Sequence, residues 1–166
     1  MKNLKTPLRY PGGKSRAITK MSQALPDLSQ YTEFREPFVG GGSVALWVTK
    51  QYPDIFVWVN DLYEPLYNFW SQLQIDGQGL ETKLLELKAK HNDHDTAKEL
   101  FIESKEQVDN RSISDHDRAV YFYIINKCSF SGLTESSSFS KQASDSNFSV
   151  RGIQKLSGYQ SIIKHW

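Results

Sequence analysis

The chain has 166 residues and a mass of 19.1 kDa, room for one compact domain rather than two complete ones. Apolar residues make up 39% and aromatic residues 13%, which excludes disorder over the whole length. Twenty Lys and Arg against nineteen Asp and Glu leave a net charge of +1, so only a local concentration of charge can announce a nucleic-acid or membrane partner.

A lone Cys128 cannot close an internal disulfide, and the opening residues carry no apolar stretch behind their positive charges. No run reaches the ~18 apolar residues of a membrane span, and no period repeats. The expectation is a soluble, cytoplasmic protein with no membrane partner.

The first twenty residues hold Lys2, Lys5, Arg9, Lys14, Arg16 and Lys20 and no acidic side chain, a basic block that suits an anionic partner. Pro7, Pro11, Gly12 and Gly13 forbid a regular helix across its middle, so a loop is expected there, then a helix from Ser15 that ends before Pro26. Residues 32–38 are rich in β-formers and run into Gly40-Gly41-Gly42 and the apolar-periodic stretch 44–52. Ile55 to Val59 is a continuous apolar run, as expected of a strand buried on both faces of a parallel sheet. A βαβ unit over residues 32–61 follows.

Two helices are expected next, over residues 62–74, with Pro65 in the first turn, and over 81–92. Another runs from Ala97 to about Val108, and Ser114 caps one through residues 119–127. Residues 129–149 contain nine serines and read as a long surface loop. Residues 150–166 return to a helical pattern.

The strongest chemical signal is Glu36-Pro37-Phe38-Val39-Gly40-Gly41-Gly42, followed by Asp61 at the end of the next strand, 61 − 40 = 21 residues after Gly40. A glycine turn between strand and helix lets a ligand approach the backbone, and an acidic group about 20 residues on suits a ribose hydroxyl pair. An adenosine-containing ligand is inferred. Gly40, Gly42 and Ala45 also fit the looser dinucleotide fingerprint, which leaves a nicotinamide-dependent enzyme open. A turn closed for structural reasons, with Asp61 capping a helix, has the same residues.

The second signal, Arg9-Tyr10-Pro11-Gly12-Gly13-Lys14-Ser15, is not a nucleoside-triphosphate loop, since that spacing demands glycine where Leu8 stands. His91 and His94 beside Asp93 and Asp95 have spacings a metal could use, but the run reads as a solvated helix end, and no metal is assigned. Cys128 reads as a packed thiol, and Trp47, Trp58 and Trp70 as core residues.

Four blocks in order, Pro7 to Lys14, Glu36 to Ser43, Asn60-Asp61 and Asn126 to Leu133, resemble the Dam-like (D12 class) DNA adenine N6-methyltransferases, with the similarity extending over nearly the whole chain. The resemblance implies an α/β fold, here a partial Rossmann-like S-adenosylmethionine-dependent methyltransferase fold with a helical, Ser-rich target-recognition region. Residues 1–80 would form the amino-terminal half of the cofactor domain, and residues 81–166 the recognition region. It further implies S-adenosylmethionine as cofactor, bound by Tyr10, Lys14, Glu36, Phe38, Gly40, Gly42 and Asp61. Double-stranded DNA would be touched by Arg9, Asn126, Lys127, Phe130 and Ser131. Phosphate neutralisation by Arg9, Lys14 and Arg16 would be independent of sequence. Relatives that methylate GATC carry an arginine where Glu135 stands, which argues against that specificity here.

Such enzymes also carry an Asp-Pro-Pro-Tyr motif that holds the flipped adenine, and residues 1–166 contain none. A truncated or split chain, inactive alone and completed by a second polypeptide, is therefore expected, with no catalytic residue of its own. A sheet cut after its first strands would leave an unpaired edge and low stability. The alternatives are a non-catalytic DNA-binding or decoy module and the nicotinamide-dependent enzyme.

Overall fold

The computed structural model describes residues 5–132, 134 and 136–166. Leu133 and Glu135, and with them the argument about GATC, lie outside the described residues.

Residues 5–13 form the expected loop. A single 3-10 turn at Lys14–Arg16 leads into the short helix α1 (Ile18–Met21), less than the run to Pro26 that periodicity suggested. Strand β1 (Glu33–Glu36), helix α2 (Ser43–Gln51) and strand β2 (Phe56–Val59) then form the expected βαβ unit. The strands pair in parallel, Glu33 opposite Phe56 and Glu36 opposite Val59. This is a mostly helical architecture with a small two-stranded parallel sheet, compatible with an α/β methyltransferase fold.

Only one face of β2 is covered. Val57 is buried beneath the sheet, whereas Phe56 and Trp58 are 46% and 42% exposed. Successive side chains on a strand point to opposite faces, so this alternation corrects the expectation of burial on both faces, and with it the placement of Trp58 in the core. The exposed pair borders a hollow with Tyr67, Trp70 and Trp166.

Helix α3 (Glu64–Lys90) contains both predicted helices in line, broken at Asp76, whose φ of −147° and ψ of 66° are not helical. Asp76 restarts the second half by accepting a hydrogen bond from the Gly79 amide at 2.8 Å, the geometry of an N-cap. Helix α4 (His94–Gln107) starts at Asp93, which accepts from the amides of Asp95 and Thr96, and α5 (Asp115–Cys128) starts at Ser114, which accepts from Asp117. Asp93 is thus a cap; of its histidine neighbours, His91 Nδ1 lies 2.8 Å from the Leu87 carbonyl and His94 stacks on Phe139.

The stretch 129–149 is not one long loop. After a 3-10 turn at Phe130–Gly132, Ser129 and Phe139 form an antiparallel bridge. Ser140 then caps helix α6 (Lys141–Asn147), and Phe148 is buried. Burial of that aromatic ring fixes a segment whose serines alone suggested solvent. Helices α7 (Val150–Ile153) and α8 (Leu156–Ile162) close the chain.

A single core joins these parts. Phe69 of α3 stacks on Tyr123 of α5 with centroids 5.8 Å apart and lies 5.6 Å from Phe122. From Arg118 to Cys128 helix α5 is buried at every position but Tyr121. Arg118 is 1% exposed, and its guanidinium donates to Glu64, to Asp115 and to the Val108 carbonyl, which pairs the buried charge as burial demands. Among the described residues no helix is long and apolar enough to cross a membrane.

Candidate functional site

Beyond the last residues of the strands the ladder continues for one more step. The Asn60 amide donates to Glu36 O at 3.0 Å, and the Val39 amide to Asn60 O at 2.8 Å. This holds the glycine turn beside Asp61 at the carboxyl end of the sheet, where open α/β sheets bind ligands. Asp61 Oδ2 accepts from the Gly40 amide at 2.9 Å, and Oδ1 accepts from the Tyr63 amide at 3.2 Å. The carboxylate therefore ties the turn and helps start α3 at once, with lone pairs to spare.

Two aromatic rings pack against the turn. A Cβ at Gly40 would stand 2.9 Å from the Tyr10 ring, and one at Gly42 would stand 2.6 Å from Trp70. Both glycines have positive φ, 48° and 72°. Glycine is thus required here by conformation and by space. The Trp70 indole donates to Gly40 O at 3.0 Å, and Thr6 donates to Gly41 O, so the amino-terminal segment lies across the turn.

The resulting cleft, about 230 Å³, is walled by Tyr10, Gly12, Lys14, Glu36, Phe38 and Gly40, among others. Five of the seven residues expected at a cofactor meet there. Gly42 packs behind the turn against Trp70, and Asp61 stands behind Gly40 rather than in the wall. Lys14 Nζ donates to Gly12 O at 2.8 Å, and Phe38 is 80% exposed. Glu36 accepts from the Ala45 amide at 2.8 Å, capping α2 where Gly42 offers no side chain. Burial pushes its carboxyl up to about 7, against that hydrogen bond. A carboxyl so placed suits a cationic ligand.

Tyr10 also walls a second cleft of about 330 Å³, with Tyr63, Phe122, Asn126, Gly132 and Thr134. Of the five residues expected at DNA, Asn126 lines this cleft, and the five range from exposed to buried positions. Phe130 is 67% exposed, and Ser131, at the tip of the turn, has a left-handed φ of 58°. Arg9 donates from its guanidinium to the Ser129 carbonyl at 2.8 Å.

Asn126 and Lys127, by contrast, are 1% and 9% exposed. Lys127 Nζ donates to Pro7 O and lies 5.0 Å above the Tyr123 ring. Burial first, and then the charge of Arg9, lowers its ammonium to about 8. Because α5 is surrounded by packed elements, the polar groups of Asn126 and Lys127 bond inward, while Asn126 also lines the second cleft. Thr6 and Tyr63 carry no site assignment in the sequence reading, and Trp70 only a place in the core; Tyr63 lies only two residues from Asp61, the one signal that pointed to it.

The profile of the D12 class N6 adenine-specific DNA methyltransferases matches residues 10–163. The Type II methyltransferase M.MjaIII of Methanocaldococcus jannaschii is 27% identical over 134 residues, which cover 76% of this chain and 46% of the relative. The chain spans about half the length of that curated relative.

Proposed function

The chain belongs to the D12 class N6 adenine-specific DNA methyltransferase family, and from that premise we propose that it binds S-adenosylmethionine in the cleft walled by Tyr10, Lys14, Glu36, Phe38 and Gly40, with Gly42 and Asp61 holding the turn. We read the two-stranded unit as part of a Rossmann-like cofactor domain within residues 1–80. Residues 81–166 are read as the recognition region for double-stranded DNA, a division of labour across one shared core. Type II restriction-modification is the corresponding setting.

The observation that carries this reading is the Tyr10 ring laid on the Gly40–Gly41 backbone, beside a carboxyl raised by burial. The residues fit the ligand. An aromatic face suits a sulfonium or adenine, the glycines let Tyr10 lie against the turn that walls the cleft, and Glu36 gains from a cation beside it. S-adenosylmethionine supplies a methyl group already activated on a positive sulfur. The chain's own residues bind and orient that group, and Tyr10 separates it from the second cleft, where the target adenine is received after leaving the stack. Phe130 and Ser131 at the exposed tip, with Arg9 beneath, approach the duplex.

Residues 1–166 carry no Asp-Pro-Pro-Tyr motif, so methyl transfer requires groups outside them. Calorimetric titration tests the reading: S-adenosylmethionine binds and NAD does not, and Lys14→Ala weakens binding by roughly 1–3 kcal/mol through loss of a charge-assisted contact. Binding of NAD alone would establish the nicotinamide alternative instead. Binding of DNA with neither nucleotide would favour the non-catalytic module.

A further inference from the structure

Tyr10 walls both clefts, and one buried side chain fixes the residue before it. Asn126, 1% exposed on α5, accepts from the Arg9 amide at 2.9 Å through Oδ1 and donates through Nδ2 to Arg9 O at 2.6 Å and to Gly132 O at 3.3 Å. It satisfies both backbone groups of the residue before Tyr10 and, with the same amide nitrogen, holds the turn that carries Phe130 and Ser131. On the other side of the joint Gly132 has a φ of +74°, and a Cβ there would stand 2.7 Å from Arg9 Cβ and 3.0 Å from Arg9 O. Arg9, Asn126 and Gly132 thus meet with no slack, and Arg9 adds its own bond to the Ser129 carbonyl.

We propose that Asn126 is a positioning residue that couples the cofactor cleft to the target-recognition turn. Resting on the assignment of the first cleft to S-adenosylmethionine, the inference is that ligand held against Tyr10 fixes Arg9, and that Asn126 passes the restraint to residues 129–140. A buried side-chain amide that satisfies three backbone groups in two segments cannot follow one segment without straining its bonds to the other. Coupling between sites in proteins is carried by such contiguous bonded groups. The binding of one ligand therefore pre-orders the surface that meets the second, before DNA is present.

Hydrogen–deuterium exchange of the 166-residue chain, with S-adenosylmethionine itself as the probe, tests this. In the unaltered chain the ligand slows exchange at residues 36–45 and also across 129–140, there by about fivefold or more, the lower end of ordinary coupling between sites. Asn126→Asp keeps the acceptor for the Arg9 amide and loses the donors to Arg9 O and Gly132 O. It retains protection at 36–45 and loses it at 129–140. Gly132→Ala, which opens the joint from the opposite side, does the same. Protection confined to the cofactor cleft in the unaltered chain, or identical at 129–140 in both variants, overturns the coupling. Absence of protection at 36–45 in the unaltered chain overturns the cofactor assignment and the coupling with it.

Discussion

Asp61 reaches back 21 residues to accept the Gly40 amide at 2.9 Å, while its second oxygen takes the Tyr63 amide. The same carboxylate therefore supports both the turn and the helix behind it. Asp61→Ala leaves the Gly40 amide without that acceptor and is expected to lower stability by about 1–3 kcal/mol in urea denaturation. It also weakens S-adenosylmethionine binding measured by calorimetry. Asp61→Asn, which can accept through only one atom, falls between. Unchanged affinity in both variants would remove Asp61 from the cofactor site.

The glycines of the two loops differ in what surrounds them. Gly12, with φ at +72°, has open space where a Cβ would go, whereas a Cβ at Gly42 meets the Trp70 indole. Gly12→Ala is expected to cost about 1–2 kcal/mol from backbone strain alone. Gly42→Ala adds overpacking, for a total of about 2–5 kcal/mol. Comparable melting temperatures for the two variants would contradict the packing described around Trp70.

Glu36 gives cofactor binding a pH dependence. With its carboxyl raised to about 7 by burial, a cationic ligand binds the ionised form. Affinity therefore climbs by up to about tenfold per pH unit below 7 and levels off above it. Stability moves the other way. From the ordinary carboxyl value of 4.5 up to about 7 the unfolded chain gives up this proton while the folded chain keeps it, so folding loses ground as pH rises through that window. Glu36→Gln abolishes both trends, which thermal melts and titrations at pH 5, 6, 7 and 8 would reveal.

Lys127 contributes the opposite sign in an alkaline window. Burial lowers its ammonium to about 8 from an unfolded value of 10.5. Between those values the unfolded chain holds the proton that the folded chain has released, so stability relative to Lys127→Met rises with pH from about 8 to 10.5. The variant also deprives Pro7 O of its donor, and limited trypsin digestion should cut sooner after Lys5 and Arg9. A flat difference between the two proteins across that range would mean that the ammonium is solvated.

The parts of this architecture that depend on local sequence could be read in advance. The glycine turn, the two strands and the cap Ser114 each rest on residues within a few positions of one another. What escaped was decided by tertiary packing. Apolar residues lie all round α5, so the sequence offers no face on which to place Asn126 and Lys127, and their inward bonds to Arg9 and Pro7 span more than a hundred residues. Helix α6 owes its place to burial of Phe148 beyond its end and of Ala143 and Ser144 within it, burial that a serine-rich stretch does not announce. The apolar run of β2 has one covered face because Phe56 and Trp58 border an open hollow with Tyr67, Trp70 and Trp166, whereas Val57 is packed in the core. The site divides the same way: the residues walling the first cleft cluster in two sequence blocks, whereas Tyr63 and Trp70 enter through the fold.

The interruption of α3 at Asp76 has its own consequence. Since the second half is initiated afresh by Asp76 and seated by Gly77 against the Leu156 carbonyl and Gln160, its phase is not inherited from the turns before it. A residue gained or lost at this junction would be absorbed by the cap instead of rotating every later side chain off its neighbours. Length changes in descendants of this chain should accumulate at that point more readily than anywhere else along the helix.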